Sequence, residues 1–201
     1  LDMIDNMVFD FIYHEHLSYF SILPLVRFFK QFDMQLIHVD EVRTKGGSLR
    51  YYWARNNSKW SPSLNVKELT LREVKAGINA EKFKNYQVRI ETVKYQLLEF
   101  LEKHKEDKIV GYGASATSTT LISHFGPHKY LSYLVDDNPD KVNTYSPGYH
   151  IPVHNFDRLK NEQPDVIFIL AWRFKEAILK KLSFFKGIII VPLPTFEEFK
   201  L

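Results

Sequence analysis

Four consecutive side chains, Tyr13-His14-Glu15-His16, form the densest cluster of ionisable groups in the sequence. An imidazole beside a carboxylate can act as a general base at neutral pH. In an extended segment, Tyr13 and Glu15 would lie on one side and His14 and His16 on the other. Two such histidines could chelate a metal, but the H-E-x-x-H pattern and an evident third ligand are missing. The cluster predicts a catalytic base, with ordinary histidines as the alternative and no metal site.

A second candidate site follows an apolar run and has the pattern G-x-G-x-x-A, with Gly111, Gly113 and Ala116 at its marked positions. Glycines there let the backbone turn and approach a ligand, and the free N–H groups of a following helix can hold a phosphate. Asp136 ends the next apolar run about 25 residues later, where a Rossmann fold carries its ribose-binding acid. The pattern favours nucleotide binding, and the alternative is a plain turn between strand and helix.

Two further segments could bind anions or bases. The turn Lys45-Gly46-Gly47, followed by Ser48-Leu49-Arg50, could hold a phosphate or carboxylate through backbone N–H groups and Arg50, or be a simple glycine turn. Trp172-Arg173 follows an apolar run and could stack on a base or clamp a diphosphate. Its alternative is an exposed helix start.

The elements from Lys108 onward alternate in a way that predicts an α/β fold with a Rossmann-like, mostly parallel sheet. Such a sheet brings the ends of its strands, here Gly113, Asp136 and Ala171-Trp172-Arg173, to one edge. The predicted strands are Lys108–Gly113, Tyr130–Val135, Ile151–Val153, Asp165–Ala171 and Gly187–Pro192, and the predicted helices are Thr117–Phe125, Asp157–Asn161 and Arg173–Phe185.

The preceding residues predict a strand pair and helices. We expect strands at Met7–Tyr13, Met34–Val42 and Ser48–Arg55, and helices at Ile22–Phe32 and Val66–Ala76 with Ser21 and Asn65 as caps. A long helix follows a cap at Asn79, with a core stripe of Phe83, Tyr86, Ile90, Val93, Leu97 and Leu101.

Composition argues against several classes of protein. With 27 basic and 24 acidic residues, the net charge of +3 gives no case for nucleic-acid binding. The 201 residues include no cysteine for a disulfide or a thiolate metal site, and no apolar run approaches the length of a membrane span. The N-terminus has no basic segment of a signal peptide, so we expect a cytoplasmic protein, and Leu1 in place of Met suggests a piece of a longer one.

Six segments in chain order carry a resemblance to a known family. They are Tyr13–Phe20, Gly46–Arg50, Gly111–Ala116, Asp136–Lys141, Ser146–Val153 and Leu170–Arg173. Together they resemble the sugar C-methyltransferases that act on nucleotide-linked 4-keto-deoxyhexoses. The resemblance covers residues 7 to 173.

The resemblance implies a three-part enzyme: a zinc-binding N-terminal domain, a central S-adenosylmethionine domain and a C-terminal Rossmann-like domain that helps to hold the nucleotide diphosphate sugar. In that family a base removes the C3 proton beside the C4 ketone, and the enolate attacks the methyl group of S-adenosylmethionine. His16 corresponds to the base, with Tyr13 and Glu15 as its neighbours. The implied substrate-binding residues are Arg50, Gly111, Tyr112, Gly113, Ala114, Ser115, Asp136, Trp172 and Arg173.

The sequence departs from the family pattern in three ways. No glycine-rich methyl-donor loop precedes Tyr13, no cysteine is present for zinc, and Arg173 stands where Asn is common. The chain is therefore expected to be a C-terminal part that does not methylate alone. In that interpretation, residues 1–78 hold the end of the methyl-donor domain and the strand pair, 79–107 a bridging helix and 108–201 the Rossmann-like domain. The alternatives are a binding module without chemistry and an NAD-dependent oxidoreductase.

Overall fold

The computed structural model describes residues 1–42, 44 and 47–200. These residues form two compact units. The first contains Leu1–Phe9 and His16–Gln87, and the second contains Asp10–Glu15 and Val88–Leu201.

The first unit is built on an antiparallel strand pair. Its elements are α1 (Asp2–Asp5), α2 (Ile22–Lys30), β1 (Met34–Val42), β2 (Ser48–Arg55) and α3 (Leu64–Ala76). The two strands pair as the sequence predicts, and apolar residues of α2, β1 and α3 form one buried cluster of Ile22, Leu36, Val39, Val66 and Leu69. The helices therefore cover one face of the strand pair.

One predicted helix cap has the expected position and another does not. Ser21 is the N-cap of α2, but its side chain does not cap the helix. Instead the buried carboxylate of Glu73 on α3 accepts the N–H groups of Ile22 (2.6 Å) and Leu23 (3.1 Å). Helix α3 starts after Ser63, so the prediction of Asn65 as its cap was wrong.

The prediction of a strand at Met7–Tyr13 was wrong. Phe9–Phe11 is a 3₁₀ helix, and Met7 has a positive φ of 56° that turns the chain before it. The residues from Met7 to Phe11 are buried as their apolar character suggests. Burial alone does not make a strand, since a strand also needs a partner for its backbone hydrogen bonds.

The long helix α4 (Ala80–Lys103) begins as predicted, since Asn79 accepts the Lys82 N–H at 2.9 Å. Its residues up to Gln87 belong to the first unit and those from Val88 onward to the second. Four members of the predicted stripe are buried, namely Tyr86, Val93, Leu97 and Leu101, but Phe83 is 50% exposed, so its assignment to the core was wrong.

The second unit contains a six-stranded sheet with the order β5-β4-β3-β6-β7-β8. Its elements are β3 (Ile109–Tyr112), α5 (Ala116–Phe125), β4 (Leu131–Val135), β5 (Val153–His154), α6 (Asp157–Glu162), β6 (Val166–Ile169), α7 (Lys175–Lys181), β7 (Ile188–Val191) and β8 (Glu197–Lys200). All neighbouring strands are parallel except β8, which is antiparallel to β7. The predicted Rossmann-like α/β class is confirmed.

Two details of the second unit were not predicted. The polar strand β8 lacks the apolar run that marks the other strands. The predicted helix Arg173–Phe185 opens as a 3₁₀ turn at Trp172–Phe174, and α7 proper ends at Lys181.

Among the described helices, each is either too short or too polar to traverse a lipid bilayer.

The order of the strands locates the usual ligand position. The chain goes from β3 outward through β4 to β5 and then crosses to β6 on the other side of β3. The strand order therefore reverses between β3 and β6, and in open α/β sheets ligands bind in the crevice at such a point.

Candidate functional site

The two glycines of the G-x-G turn are required by packing. A Cβ on Gly111 would collide with the side chain of Leu134 and lie 2.8 Å from Leu170 Cδ1. Gly113 has a φ of 111°, and its Cβ would lie 2.8 Å from that of Ala171. Close approach of β3 to its neighbours thus accounts for both glycines without a ligand.

Asp136 closes the same turn with its own carboxylate. Its Oδ2 atom accepts the Ala114 N–H at 2.7 Å and the Lys141 ammonium at 3.1 Å, and its Oδ1 atom accepts the Asn138 N–H at 2.9 Å. Burial, with the side chain 12% exposed, favours the neutral acid, but these donors outweigh it and hold the pKa of Asp136 below its ordinary value. The carboxylate predicted to meet a ribose is therefore bound within its own chain.

Tyr112 ends β3 with a buried ring and a hydrogen-bonded hydroxyl. The hydroxyl donates to the Asp137 carboxylate at 3.1 Å, and Lys181 donates to the same carboxylate at 2.7 Å. Burial and the Asp137 charge raise the pKa of Tyr112, so the phenol remains neutral and acts as a donor.

Ser115 is the N-cap of α5. Its hydroxyl accepts the Ser118 N–H at 3.2 Å and lies 2.8 Å from the Thr117 hydroxyl and 3.0 Å from the Ser118 hydroxyl. The first turn of a helix attracts anions because its N–H groups and dipole point toward them. The predicted Ser115 thus lies at a helix start suited to a phosphate.

A small cavity, partly open to solvent, lies beside this helix start. Its wall combines apolar side chains, hydroxyl groups and one ammonium group: Ala114, Ser118, Thr119, Ile122, Leu134, Lys141, Thr144, Tyr145, Ser146, Pro147 and Val153. We call this space the β4 cavity. An apolar wall with a few polar groups is typical of small-molecule sites. Of its lining residues, the sequence analysis had named only Ala114 as a site residue.

The crevice between β3 and β6 is filled by the protein itself. Asp10 Oδ2 accepts the Trp172 indole N–H at 2.9 Å, and both Asp10 oxygens accept Arg173 Nη1, at 3.1 and 3.2 Å. Arg173 Nη2 donates to the Thr117 hydroxyl at 3.2 Å, and its guanidinium lies 4.1 Å above the ring of Phe11. We call this group the closed crevice. Trp172 and Arg173 here bind a carboxylate of their own chain.

Asp10 was not predicted as a site residue. Its side chain is 0% exposed, and burial raises its pKa against the opposing effects of Arg173 and Trp172. The available signal was a single acid inside the apolar run Met7–Phe11, because a buried charge needs a partner. The sequence does not indicate that the partner lies 163 positions away.

The cluster at residues 13–16 is not extended, since His14 and Glu15 form a turn, so the alternation expected of an extended segment does not apply. His14 and Glu15 are exposed, and His14 Nε2 lies 4.0 Å from Glu15 Oε1. Tyr13 and His16 are half-buried. Tyr13, His14 and Glu15 belong to the second unit and His16 to the first. No group of three or more potential metal-ligating side chains is present within the described part of the chain.

The anion-binding turn predicted at Lys45–Arg50 is described only in part, since Lys45 and Gly46 lie outside the described residues. Gly47 has a φ of 114°, as a glycine turn requires. Arg50 is exposed on β2, opposite Asp40 of β1. Arg50 belongs to the first unit, whereas the predicted residues from Gly111 to Arg173 belong to the second.

Comparison with known proteins identifies one family. The profile described as the C-methyltransferase C-terminal domain matches residues 43–194. C-methyltransferase NovU of Streptomyces niveus is 27% identical in a 201-residue alignment that covers 96% of this chain and 48% of NovU. The chain thus spans about half the length of this curated relative. The structure of UDP-D-quinovosamine 4-dehydrogenase from Vibrio fischeri aligns with 47% of this chain and 94% of its own, with 14% identity and a TM-score of 0.36.

Proposed function

Because the chain belongs to the C-methyltransferase C-terminal domain family, we propose that it is the nucleotide-sugar-binding part of a methyltransferase that uses S-adenosylmethionine. The observation that carries this proposal is the family match over residues 43–194. The substrate would be a nucleotide-linked 4-keto-deoxysugar that is methylated on a carbon next to the ketone.

The β4 cavity is the place we propose for the nucleotide. The first turn of α5 lies on one side, together with Lys141, whose ammonium also donates to the Asp136 carboxylate at 3.1 Å, and Ile122, Leu134 and Val153 supply an apolar wall. A diphosphate needs N–H or ammonium donors, and a base benefits from an apolar wall. Ser118 and Thr144 line the same wall, where the Ser118 hydroxyl lies 3.0 Å from that of Ser115 and the Thr144 hydroxyl donates to the Lys141 carbonyl at 2.6 Å.

His16 is the proposed base, with Tyr13 and Glu15 as its neighbours in the sequence. Imidazole is the side chain that most often removes protons at neutral pH, and the hydrogen beside a ketone is acidic enough for such a base. Removal of this proton leaves an enolate, whose carbon is the nucleophile for methylation. On this proposal, exposure of the Glu15 carboxylate leaves it accessible to the sugar.

The close approach of Leu134 to Gly111 and of Ala171 to Gly113 explains both glycines, so we assign no cofactor to their turn. The described part likewise has no ligand cluster for zinc. S-adenosylmethionine would supply an electrophilic methyl group, and we assign no residue of this chain to hold it.

The test is a calorimetric titration of the chain with thymidine diphosphate, with NAD and thymidine in parallel. We expect saturable binding of the diphosphate, weaker binding of the nucleoside and no binding of NAD. Binding of NAD alone would overturn the proposal in favour of an oxidoreductase, a role that requires Asp136 to leave its hydrogen bonds to Ala114, Asn138 and Lys141.

A second test addresses the chemistry. The whole methyltransferase that carries this chain should release S-adenosylhomocysteine when supplied with a 4-keto nucleotide sugar, and His16→Gln should abolish that release while binding of thymidine diphosphate persists. Full activity of His16→Gln would remove His16 from the mechanism. Its matched control is His14→Gln, a change in the same turn at an exposed position.

A further inference from the structure

We propose that Asp10 is a positioning residue, which holds the segment with Tyr13 and Glu15 at the carboxyl edge of the six-stranded sheet. The inference rests on the proposed function only in taking Tyr13 and Glu15 as part of the active site. Its physical content, an anchored segment, can be tested without that function.

The first argument is the completeness of the hydrogen bonding around Asp10. The carboxylate is fully buried and accepts three N–H contacts from two side chains at the end of β6, at 2.9, 3.1 and 3.2 Å. Hydrogen bonds in which the donor or the acceptor is charged are about twice as strong as neutral ones. A buried carboxylate left without these donors would be costly, so the segment is held where they are.

Arg173 joins the turn after β6 to the segment with Asp10 and Phe11 and to the first turn of α5. Its guanidinium binds Asp10 on one side, donates to Thr117 in the first turn of α5 on another and stacks on Phe11 at 4.1 Å. A planar guanidinium presents its donors in a rigid fork, so these contacts fix direction as well as distance. The anchor therefore orients the segment against the start of α5.

The distance along the chain from the anchor to the motif is short. Tyr13 is three positions after Asp10, so the two Cα atoms can be at most about 11 Å apart. The Tyr13 N–H donates to the Phe11 carbonyl at 3.0 Å, and the rings of Phe11 and Tyr13 lie 6.1 Å apart. A displacement of Asp10 would be transmitted directly to Tyr13.

The grouping of the chain agrees with this role. Asp10–Glu15 belongs to the six-stranded unit, whereas the residues on both sides of it belong to the other unit. A buried ion pair often adds little stability compared with apolar packing, so its main effect can be to select one geometry. The pair between Asp10 and Arg173 is well placed for such an effect because Asp10 lies three positions before Tyr13.

The structural test is amide hydrogen exchange on the chain with Asp10→Asn. We expect exchange of residues 10–15 to become about tenfold faster or more, with β3 and β6 unchanged. Trp172→Phe is a milder second variant, since it removes the indole N–H donor and keeps a smaller aromatic ring. The matched control is Asp165→Asn, because Asp165 is an exposed acid that accepts the Lys108 N–H at the opposite end of the sheet.

The functional test uses the whole methyltransferase. Asp10→Asn should lower kcat by about 10- to 100-fold because the motif is misplaced, with KM for the nucleotide sugar changed by less than about threefold. Trp172→Phe should lower kcat less, and Asp165→Asn should leave it unchanged. A purely structural role would lower the amount of folded enzyme without this split between kcat and KM.

Three outcomes would overturn the inference. The first is unchanged exchange of residues 10–15 in Asp10→Asn. The second is faster exchange throughout β3 and β6 as well, which would indicate general destabilisation. The third is faster local exchange with an unchanged kcat. An inactive wild-type enzyme would count against the proposed function instead, and the exchange experiment would still decide whether Asp10 anchors the segment.

Discussion

The closed crevice and the β4 cavity lie at the same edge of one sheet, on opposite sides of the end of β3, yet one is filled and the other is open. In the closed crevice, Asp10, Trp172 and Arg173 satisfy one another's hydrogen bonds. In the β4 cavity, Ser118, Thr119, Thr144 and Lys141 line a space that is partly open to solvent. The difference lies in which chain segment covers each strand end.

The comparison shows that the reversal of strand order does not by itself locate the ligand. The rule for open α/β sheets points to the crevice between β3 and β6. Here that crevice holds the protein's own carboxylate, and the available space is displaced toward β4. A buried acid can therefore occupy the place that a phosphate takes in related architectures, because both accept N–H groups.

The largest effect should come from adding a methyl group at Gly113, beside Ala171, which precedes Trp172 of the closed crevice. Gly113→Ala should lower the free energy of unfolding by about 3 kcal/mol, since the new Cβ would meet Ala171 at 2.8 Å and φ is 111°. Urea denaturation would measure the loss. Gly148→Ala is the control, because its φ is also positive, at 82°, but no atom lies within 4 Å, so only about 1 kcal/mol of backbone strain is expected. Equal losses would mean that Ala171 does not pack tightly against Gly113.

A smaller effect should follow from removing the charge that closes the glycine turn. Asp136→Asn should cost about 2 kcal/mol at pH 7, since one of the bound N–H groups loses its acceptor. The pKa of Asp136 is lowered on folding, so its contribution is present above the ordinary value of 3.8 and is lost as the pH falls through its lower folded value. The difference between wild type and variant should therefore shrink on acidification in urea titrations. A pH-independent difference would contradict this account.

The β4 cavity can be blocked from one helix position. Thr119→Leu should weaken binding of thymidine diphosphate by about tenfold or more, since Thr119 lines the cavity. Thr120→Leu is a close control, because both threonines are half-buried on α5 and both donate to a carbonyl four residues earlier, at 3.2 Å. Thr120 is not part of the cavity wall, so its variant should bind normally. Equal affinities in calorimetry would place the nucleotide elsewhere.

The smallest effect distinguishes the two carboxylates by sign. Burial raises the pKa of Asp10, so its contribution to stability is greatest below the ordinary value of 3.8 and is lost as the pH rises through the folded value. The stability advantage of wild type over Asp10→Asn should therefore grow on acidification, opposite to the trend for Asp136→Asn. Parallel trends for the two variants in urea titrations would show that Asp10 is not in a strongly desolvating site.

Local pattern was sufficient for most of the fold. The apolar runs before Gly113 and Asp136 and the run at Asp165–Ala171 identified β3, β4 and β6, and the glycine turn between two β-type runs identified β1 and β2. The first three strands are recognisable because a strand buried on both faces is a nearly continuous apolar run. The segment Met7–Tyr13 and the strand β8 were missed, since one is buried without pairing and the other pairs without being apolar.

The sequence alone determined the order of elements, the family resemblance and which residues lie at strand ends. Only the tertiary structure decided what those residues contact. Asp136 binds the backbone at Ala114, Arg173 binds Asp10, and the glycine turn is closed by Ala171. The reason is that strand ends are set by local periodicity, whereas the partner of a charge is set by which distant segments meet at the sheet edge.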